Sequence, residues 1–176
     1  AVFRLQPLED PLGRMALLRR RLLVLRQDRF DHANERPERW SFDRLAAFAE
    51  RLRDLAHGYG AKVLLNGEAD AARRLGLDGV HWTSAHLAAA TSRPDDLVVG
   101  ASCHGAAEIA RAGVLGCDFA VLGPVRDTPS HPGARTLGWN GFARAIDGTR
   151  LPVYALGGLA LADLDAAVEH GAHGIA

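Results

Sequence analysis

Two short stretches of this chain carry residues that can bind a phosphate or move a proton. "YALGG" ends on Gly157 and Gly158, and "GASCH" carries Ser102 and His104. Adjacent glycines let a ligand approach the backbone closely, and free N–H groups at the start of a following helix bind anions. A histidine has an ordinary pKa of about 6.5, so it exchanges protons near neutral pH. The pattern predicts a phosphate subsite beside a proton-transfer residue. A tight strand-to-helix turn and a packing histidine are the alternatives.

Strand alternation separates the neighbouring cysteine from these polar residues. Ser102 and His104 fall on one face of an extended segment, and Cys103 falls on the other. A paired Cys–His nucleophile is therefore not expected. The two cysteines of the chain, Cys103 and Cys117, match no metal-binding spacing and are expected to be buried, reduced thiols. His81 is expected to be structural or pocket-lining.

Further polar residues follow other apolar runs. Thr128, Ser130 and His131 lie in a long polar loop after residues 118–125, while Arg26 and Asn66 close two earlier runs. The carboxyl ends of parallel strands meet at one edge of a sheet, where ligands of such proteins bind. These side chains are therefore expected to line one substrate- and phosphate-binding site.

The secondary-structure elements that must position these candidate site residues are short and repeat along the chain. Amphipathic segments separate the apolar runs, and the clearest is "SFDRLAAFAERLRDLAHGYG" at 41–60. Eight runs are typical of strands: residues 2–8, 21–27, 61–66, 79–83, 97–104, 118–125, 152–158 and 172–176. Repeated βα units predict a parallel sheet, and eight strands close a barrel. We predict one domain over residues 1–176, a small (βα)8 TIM barrel of the α/β class whose last helix is absent from the chain as given. A doubly wound open sheet is the alternative.

The composition excludes some classes of partner. Basic and acidic residues number 21 each, and nucleic-acid binders usually carry a basic excess. No apolar run approaches the roughly 18–20 residues of a membrane span, and no secretory signal opens the chain. We therefore expect no nucleic-acid partner, no membrane partner and a cytoplasmic location.

Four motifs, in order along the chain, resemble the thiamine phosphate synthase and thiazole tautomerase superfamily of small (βα)8 barrels. They are "LLN…DGVH", "GASCH", "LGPV.DTPSHP…LG" and "YALGGL", and the likeness spans about residue 21 to the end. The sequence also resembles the barrel domains that are fused behind a Nudix hydrolase in some bacteria. In the synthase, the resemblance implies, a thiazole phosphate displaces pyrophosphate from a pyrimidine with the help of Mg²⁺ and basic groups.

The resemblance also shows where this chain departs from the synthase. The family's Gln-x-Arg-x-Lys motif retains only its arginine, at Arg26. Its two metal-binding aspartates fall at Gly67 and His86, and the lysine of its Thr-x-Thr-Lys loop falls at His131. Lys62, the only lysine, starts its strand and so lies at the opposite end of the barrel. The phosphate-binding half is retained, as in the tautomerase branch.

These features lead to one main expectation and two alternatives. The main one is a barrel that binds a thiazole phosphate and isomerises it, with His104 as the acid–base catalyst and without a metal or cofactor. A divergent, Mg²⁺-dependent thiamine phosphate synthase is the first alternative, and a non-catalytic barrel that binds thiamine metabolites for a Nudix domain is the second. The expected partners are a small phosphate substrate and either a second copy of the chain or a fused Nudix domain.

Overall fold

The computed structural model describes residues 22–26, 42–128 and 133–176, and within them a parallel α/β fold. The elements alternate along the chain as β1 (Leu22–Arg26), α1 (Phe42–Gly58), β2 (Lys62–Asn66), α2 (Ala69–Arg74), β3 (Gly79–Trp82), α3 (Ser84–Ala89), β4 (Val98–Cys103), α4 (Ala106–Val114), β5 (Phe119–Leu122), α5 (Gly138–Ile146), β6 (Val153–Ala155), a 3₁₀ turn (Leu161–Asp163), α6 (Leu164–Glu169) and β7 (Gly174–Ile175). Seven of the eight predicted strands are therefore present, and the first, at 2–8, lies outside the described residues.

The strands pair in the order of the sequence. Each strand from β1 to β7 pairs in parallel with the next, without any crossover. A doubly wound sheet would reverse its strand order near the middle, so this order excludes that alternative and is the order of a TIM barrel. The fold class predicted from the sequence is confirmed.

Strand alternation divides the core into two layers. Outward-facing side chains such as Val63, Val80 and Val99 pack with the helices into the larger cluster. Inward-facing side chains form a second, smaller cluster around Leu64 and Phe119. This separation of a helix-facing layer from an inner layer is what a curved parallel sheet with helices on its outside produces.

The inner layer contains large rings and one glycine that makes room for them. Phe119 lies 5.8 Å from the His81 ring and 6.2 Å from the Tyr154 ring, measured between centroids. A Cβ atom at Gly100 would lie 2.2 Å from Cζ of Phe119 and 2.8 Å from Nδ1 of His81. Gly100 is therefore required by the packing of the barrel interior.

We expect Gly100→Ala to destabilise the protein by about 2–3 kcal/mol, because the added methyl group overpacks a filled interior. Urea unfolding measures this directly. Gly113→Ala, in α4, is the control, since its Cβ would meet nothing within 4 Å. There we expect a gain of about 0.5–1 kcal/mol from the higher helix propensity of alanine. Equal free energies of unfolding for the two variants would contradict the packing described for Gly100.

Candidate active site at the carboxyl rim

The carboxyl ends of the strands form one rim, and most of the expected site residues follow those ends. Asn66 ends β2 in register with Arg26, the last residue of β1. Ser102 belongs to β4, His104 follows it, and Gly157 follows β6 by two residues. Ser130 and His131 lie outside the described residues, as does the side chain of Arg26. The parallel sheet thus places the described candidates on the same side of the barrel.

Ser102 faces the interior and is held by a buried histidine. Nε2 of His81 lies 2.9 Å from Oγ of Ser102, and the His81 side chain is only 1% exposed. Cys103 lies on the opposite face, within the helix-facing core. Burial raises the pKa of the Cys103 thiol to about 12, so it stays neutral at physiological pH. The predicted alternation is confirmed, and it leaves Ser102 as the polar group of β4 that is turned inward.

His104 lies exposed at the rim, directly after β4. Its Nδ1–H donates to the Gly123 carbonyl oxygen at 2.8 Å, and its backbone N–H donates to the Glu108 carboxylate. A proton on Nδ1 leaves the Nε2 lone pair of a neutral imidazole available to accept another proton. The position and orientation therefore suit proton transfer.

The glycine pair after β6 is packed against the loop after β5. Gly157 and Gly158 have φ of 102° and 64°. A Cβ at Gly157 would lie 2.7 Å from Cα of Pro124, and one at Gly158 would lie 2.2 Å from the carbonyl oxygen of Asp127. The chain's own backbone thus requires both glycines, a reason that the sequence pattern did not reveal. The tight-turn interpretation is correct, and it does not exclude a phosphate at the same place.

The backbone donors of this turn are only partly used. The Ala160 N–H donates to Oδ2 of Asp163 at 2.9 Å. In the described part of the chain, the N–H groups of Gly158 and Leu159 donate to no acceptor. Two neighbouring N–H groups with positive φ nearby can together bind a phosphate oxygen. The turn therefore offers a compact anion-binding position without a basic side chain.

Arg126, which lies beside this turn, is already paired. Its Nη1 lies 2.8 Å from Oδ1 of Asp163, and its guanidinium carbon lies 5.9 Å from the centre of the Trp139 ring. Its backbone N–H donates to the Gly157 carbonyl oxygen at 3.1 Å. Arg126 therefore fastens the β5 loop to the turn, and its charge is shared with a carboxylate. Thr128, two residues further on, is half-buried.

A second polar cluster joins the loops after β2 and β3. Nε2 of His86 lies 2.8 Å from Oε1 of Glu68, and Nδ1 of His86 lies 3.0 Å from Oγ1 of Thr83. The Thr83 hydroxyl also accepts from the backbone N–H of His86, at 3.2 Å, and so caps α3. The sequence interpretation noted His86 but missed its partner Glu68, and also missed Asp163. An acidic residue in the first turn of a helix is the signal that indicates Asp163.

The Mg²⁺ that the resemblance implies does not fit these residues. Mg²⁺ prefers oxygen ligands in octahedral geometry, usually including one or two carboxylates. At the rim between β2 and β3 the carboxylates of Glu68 and Asp70 already contact His86 and Arg73. Over residues 22–26, 42–128 and 133–176, no group of three or more His, Cys, Asp or Glu side chains could hold a metal ion. In the same residues, no helix has the length and apolar character needed to cross a membrane.

Comparison with known proteins now decides the family. A sequence model of the family described as "Thiamine monophosphate synthase" matches residues 22–176. The chain belongs to the thiamine monophosphate synthase family. The match covers all seven strands, the glycine turn and the His86–Glu68 cluster. Family membership confirms the resemblance recognised in the four sequence motifs.

Two curated relatives of this family carry the same name. A thiamine-phosphate synthase of Deinococcus radiodurans is 39% identical over 134 residues, which are 74% of this chain and 48% of that protein. A thiamine-phosphate synthase of Thermus thermophilus is 36% identical over 143 residues, 80% of this chain and 69% of that protein. The chain thus spans about half the length of the first relative, and it also spans less than two thirds of others.

A solved structure agrees on the fold. Thiamine phosphate pyrophosphorylase from Pyrococcus furiosus superimposes with a TM-score of 0.66 at 22% identity, covering 88% of this chain and 70% of that one. At this identity the likeness shows the fold alone. Both curated relatives named above are called synthases and neither is called a tautomerase, so the comparisons do not support the isomerisation expected from the sequence.

Proposed function

We propose that this protein is a divergent thiamine-phosphate synthase. In that reaction the bond between the pyrimidine methylene carbon and a pyrophosphate oxygen breaks. The thiazole nitrogen of a thiazole phosphate forms a bond to the same carbon. The observation that carries the proposal is the glycine turn at Gly157 and Gly158, on the same rim as Ser102, where the N–H groups of Gly158 and Leu159 donate to no acceptor among the described residues. The names of the relatives support the choice of reaction.

The residues of the rim divide into two groups. The N–H groups of Gly158 and Leu159 hold the phosphate of the thiazole, and the hydroxyl groups of Thr128 and Ser130 add to that subsite. Ser102 lies deeper, where the buried His81 fixes its hydroxyl group at 2.9 Å. A fixed dipole at this depth stabilises charge that develops as pyrophosphate leaves, because it needs no reorganisation during the reaction.

Arg26 and Asn66 complete the substrate-binding side of the rim. They end neighbouring strands in register, and Asn66 is half-buried on the inward-facing side of β2. An arginine at the end of β1 supplies positive charge for the departing pyrophosphate, and its guanidinium group remains charged at any physiological pH. His131, which follows β5 in the sequence, is proposed to extend the phosphate subsite.

One experiment tests the synthase proposal. The purified protein is incubated with the pyrimidine pyrophosphate and the thiazole phosphate, and both thiamine phosphate and pyrophosphate are quantified. We expect the two products to appear in equal amounts. Binding of thiamine phosphate without any turnover would contradict the synthase proposal and favour a non-catalytic binding domain. Binding without turnover is recognised by a rise in the melting temperature of the protein on addition of thiamine phosphate, since a ligand that binds only the folded state stabilises it.

A second candidate function is supported by the geometry of His104. Its Nδ1–H donates to the Gly123 carbonyl oxygen, and the residue is exposed at the rim. Isomerisation of a carboxythiazole phosphate requires removal of a proton from one carbon and delivery of a proton to another, and an imidazole performs both steps. We expect His104→Ala to lower any such isomerisation at least about 100-fold. Equal rates for wild type and His104→Ala, followed by NMR, would exclude His104 as the catalyst.

A further inference from the structure

The His86–Glu68 pair is the most completely organised polar cluster at the rim between β2 and β3. A carboxylate only accepts hydrogen bonds, so Nε2 of His86 carries the proton and donates it to Glu68. Nδ1 of His86 is engaged by the Thr83 hydroxyl group on the other side. Both ring nitrogens are therefore committed to protein partners.

Because both nitrogens of the His86 ring already have hydrogen-bond partners, the cluster is a poor metal site. A histidine binds a metal through an unprotonated nitrogen, and the nitrogen of His86 that faces Glu68 is protonated. Mg²⁺ also prefers oxygen over imidazole nitrogen. The Thr83 hydroxyl group contacts the imidazole and also caps the same helix, so the ring cannot rotate away without losing its contacts to Thr83 at 3.0 Å and to Glu68 at 2.8 Å. The imidazole instead places its own N–H against the carboxylate.

We propose that the His86–Glu68 pair takes the place of a divalent cation between the loops after β2 and β3, so that this protein binds its phosphorylated ligand without a metal there. The pair joins these two parts of the rim as a shared cation would, through one hydrogen bond between Glu68, which precedes α2, and His86 in α3. This inference rests on the proposed function for the identity of the ligand. It concerns metal dependence and can be tested without turnover.

Binding of Mn²⁺, followed by electron paramagnetic resonance on the full chain, tests the proposal directly. His86→Asp places a second carboxylate beside Glu68, and His86→Asn is the control of the same shape without the charge. We expect wild type and His86→Asn to bind Mn²⁺ weakly, and His86→Asp to bind it at least about tenfold more tightly, because carboxylate number sets affinity for hard cations. Wild-type binding as tight as that of His86→Asp would overturn the proposal. So would equal binding by the two variants.

Pyrophosphate binding separates this inference from the proposed function. Calorimetric titration with pyrophosphate is performed with Mg²⁺ and, separately, with a chelator. We expect the wild-type affinity to change less than about threefold between the two conditions, and that of His86→Asp to increase with Mg²⁺. Wild-type binding that requires Mg²⁺ would overturn the inference and leave the proposed function intact. Failure to bind pyrophosphate in either condition would contradict the proposed function instead, while the Mn²⁺ experiment would still decide the inference.

Discussion

Gly158→Ala is expected to weaken thiamine phosphate binding at least about 100-fold and to destabilise the protein by about 2–4 kcal/mol. The backbone at Gly158 has φ of 64°, which an alanine adopts only with strain, and the new Cβ would lie 2.2 Å from the Asp127 carbonyl oxygen. The turn or the β5 loop must move, and the N–H groups of Gly158 and Leu159 move with it. Calorimetric titration with thiamine phosphate measures the affinity, and urea unfolding measures the stability.

Gly148→Ala is the matched control for this prediction. Gly148 has φ of 72°, so alanine is similarly strained there, but its Cβ would meet nothing within 4 Å. It lies between α5 and β6, at the opposite end of the barrel. We expect a loss of about 1–2 kcal/mol of stability and unchanged affinity. If Gly158→Ala bound thiamine phosphate as well as Gly148→Ala, the phosphate would not lie in this turn.

Ser102→Ala is expected to lower kcat of the synthase reaction about 100-fold while changing KM less than about threefold. The hydroxyl group of Ser102 is fixed by His81 and turned inward, so it acts on charge that develops during the reaction more than on the bound substrate. An effect on kcat with little effect on KM is the signature of an interaction formed mainly in the transition state. Steady-state kinetics with both substrates measures the two parameters.

Cys103→Ala provides the comparison on the neighbouring residue. Cys103 is 1% exposed and packs in the helix-facing core, so its truncation leaves a cavity behind β4. We expect a lower free energy of unfolding, by about 1–2 kcal/mol, and an unchanged kcat. If both variants lowered kcat equally, the loss would come from a disturbed strand, and the role assigned to Ser102 would be wrong.

The strand order and the direction of many side chains were predictable from the sequence. Alternation within "GASCH" predicted that Ser102 and Cys103 lie on opposite faces of the strand, and the structure places Cys103 in the helix-facing core. Lys62 is the first residue of β2, so the parallel order places it at the amino end of that strand, opposite the carboxyl rim. Such predictions succeed because the spacing of apolar residues and the length of the connections are local properties of the chain.

The roles of particular glycines and charges were not predictable in the same way. Gly158 must be glycine because the carbonyl oxygen of Asp127, in a different loop, leaves no room for a Cβ atom. The partner of Arg126 is Asp163, and that of His86 is Glu68, each in another βα unit. Contacts of this kind depend on how the loops pack at the rim, and no spacing in the sequence indicates which residues they pair.

The central claim is that the turn after β6 holds the phosphate of the ligand. Titration of the ¹⁵N-labelled protein with thiamine phosphate, followed through the amide signals of Gly158 and Leu159, tests this claim most directly. The account predicts that these two signals move together, saturate at the Kd measured by calorimetry, and shift more than the amide signal of Gly148. Saturable binding that leaves both signals unmoved would contradict it.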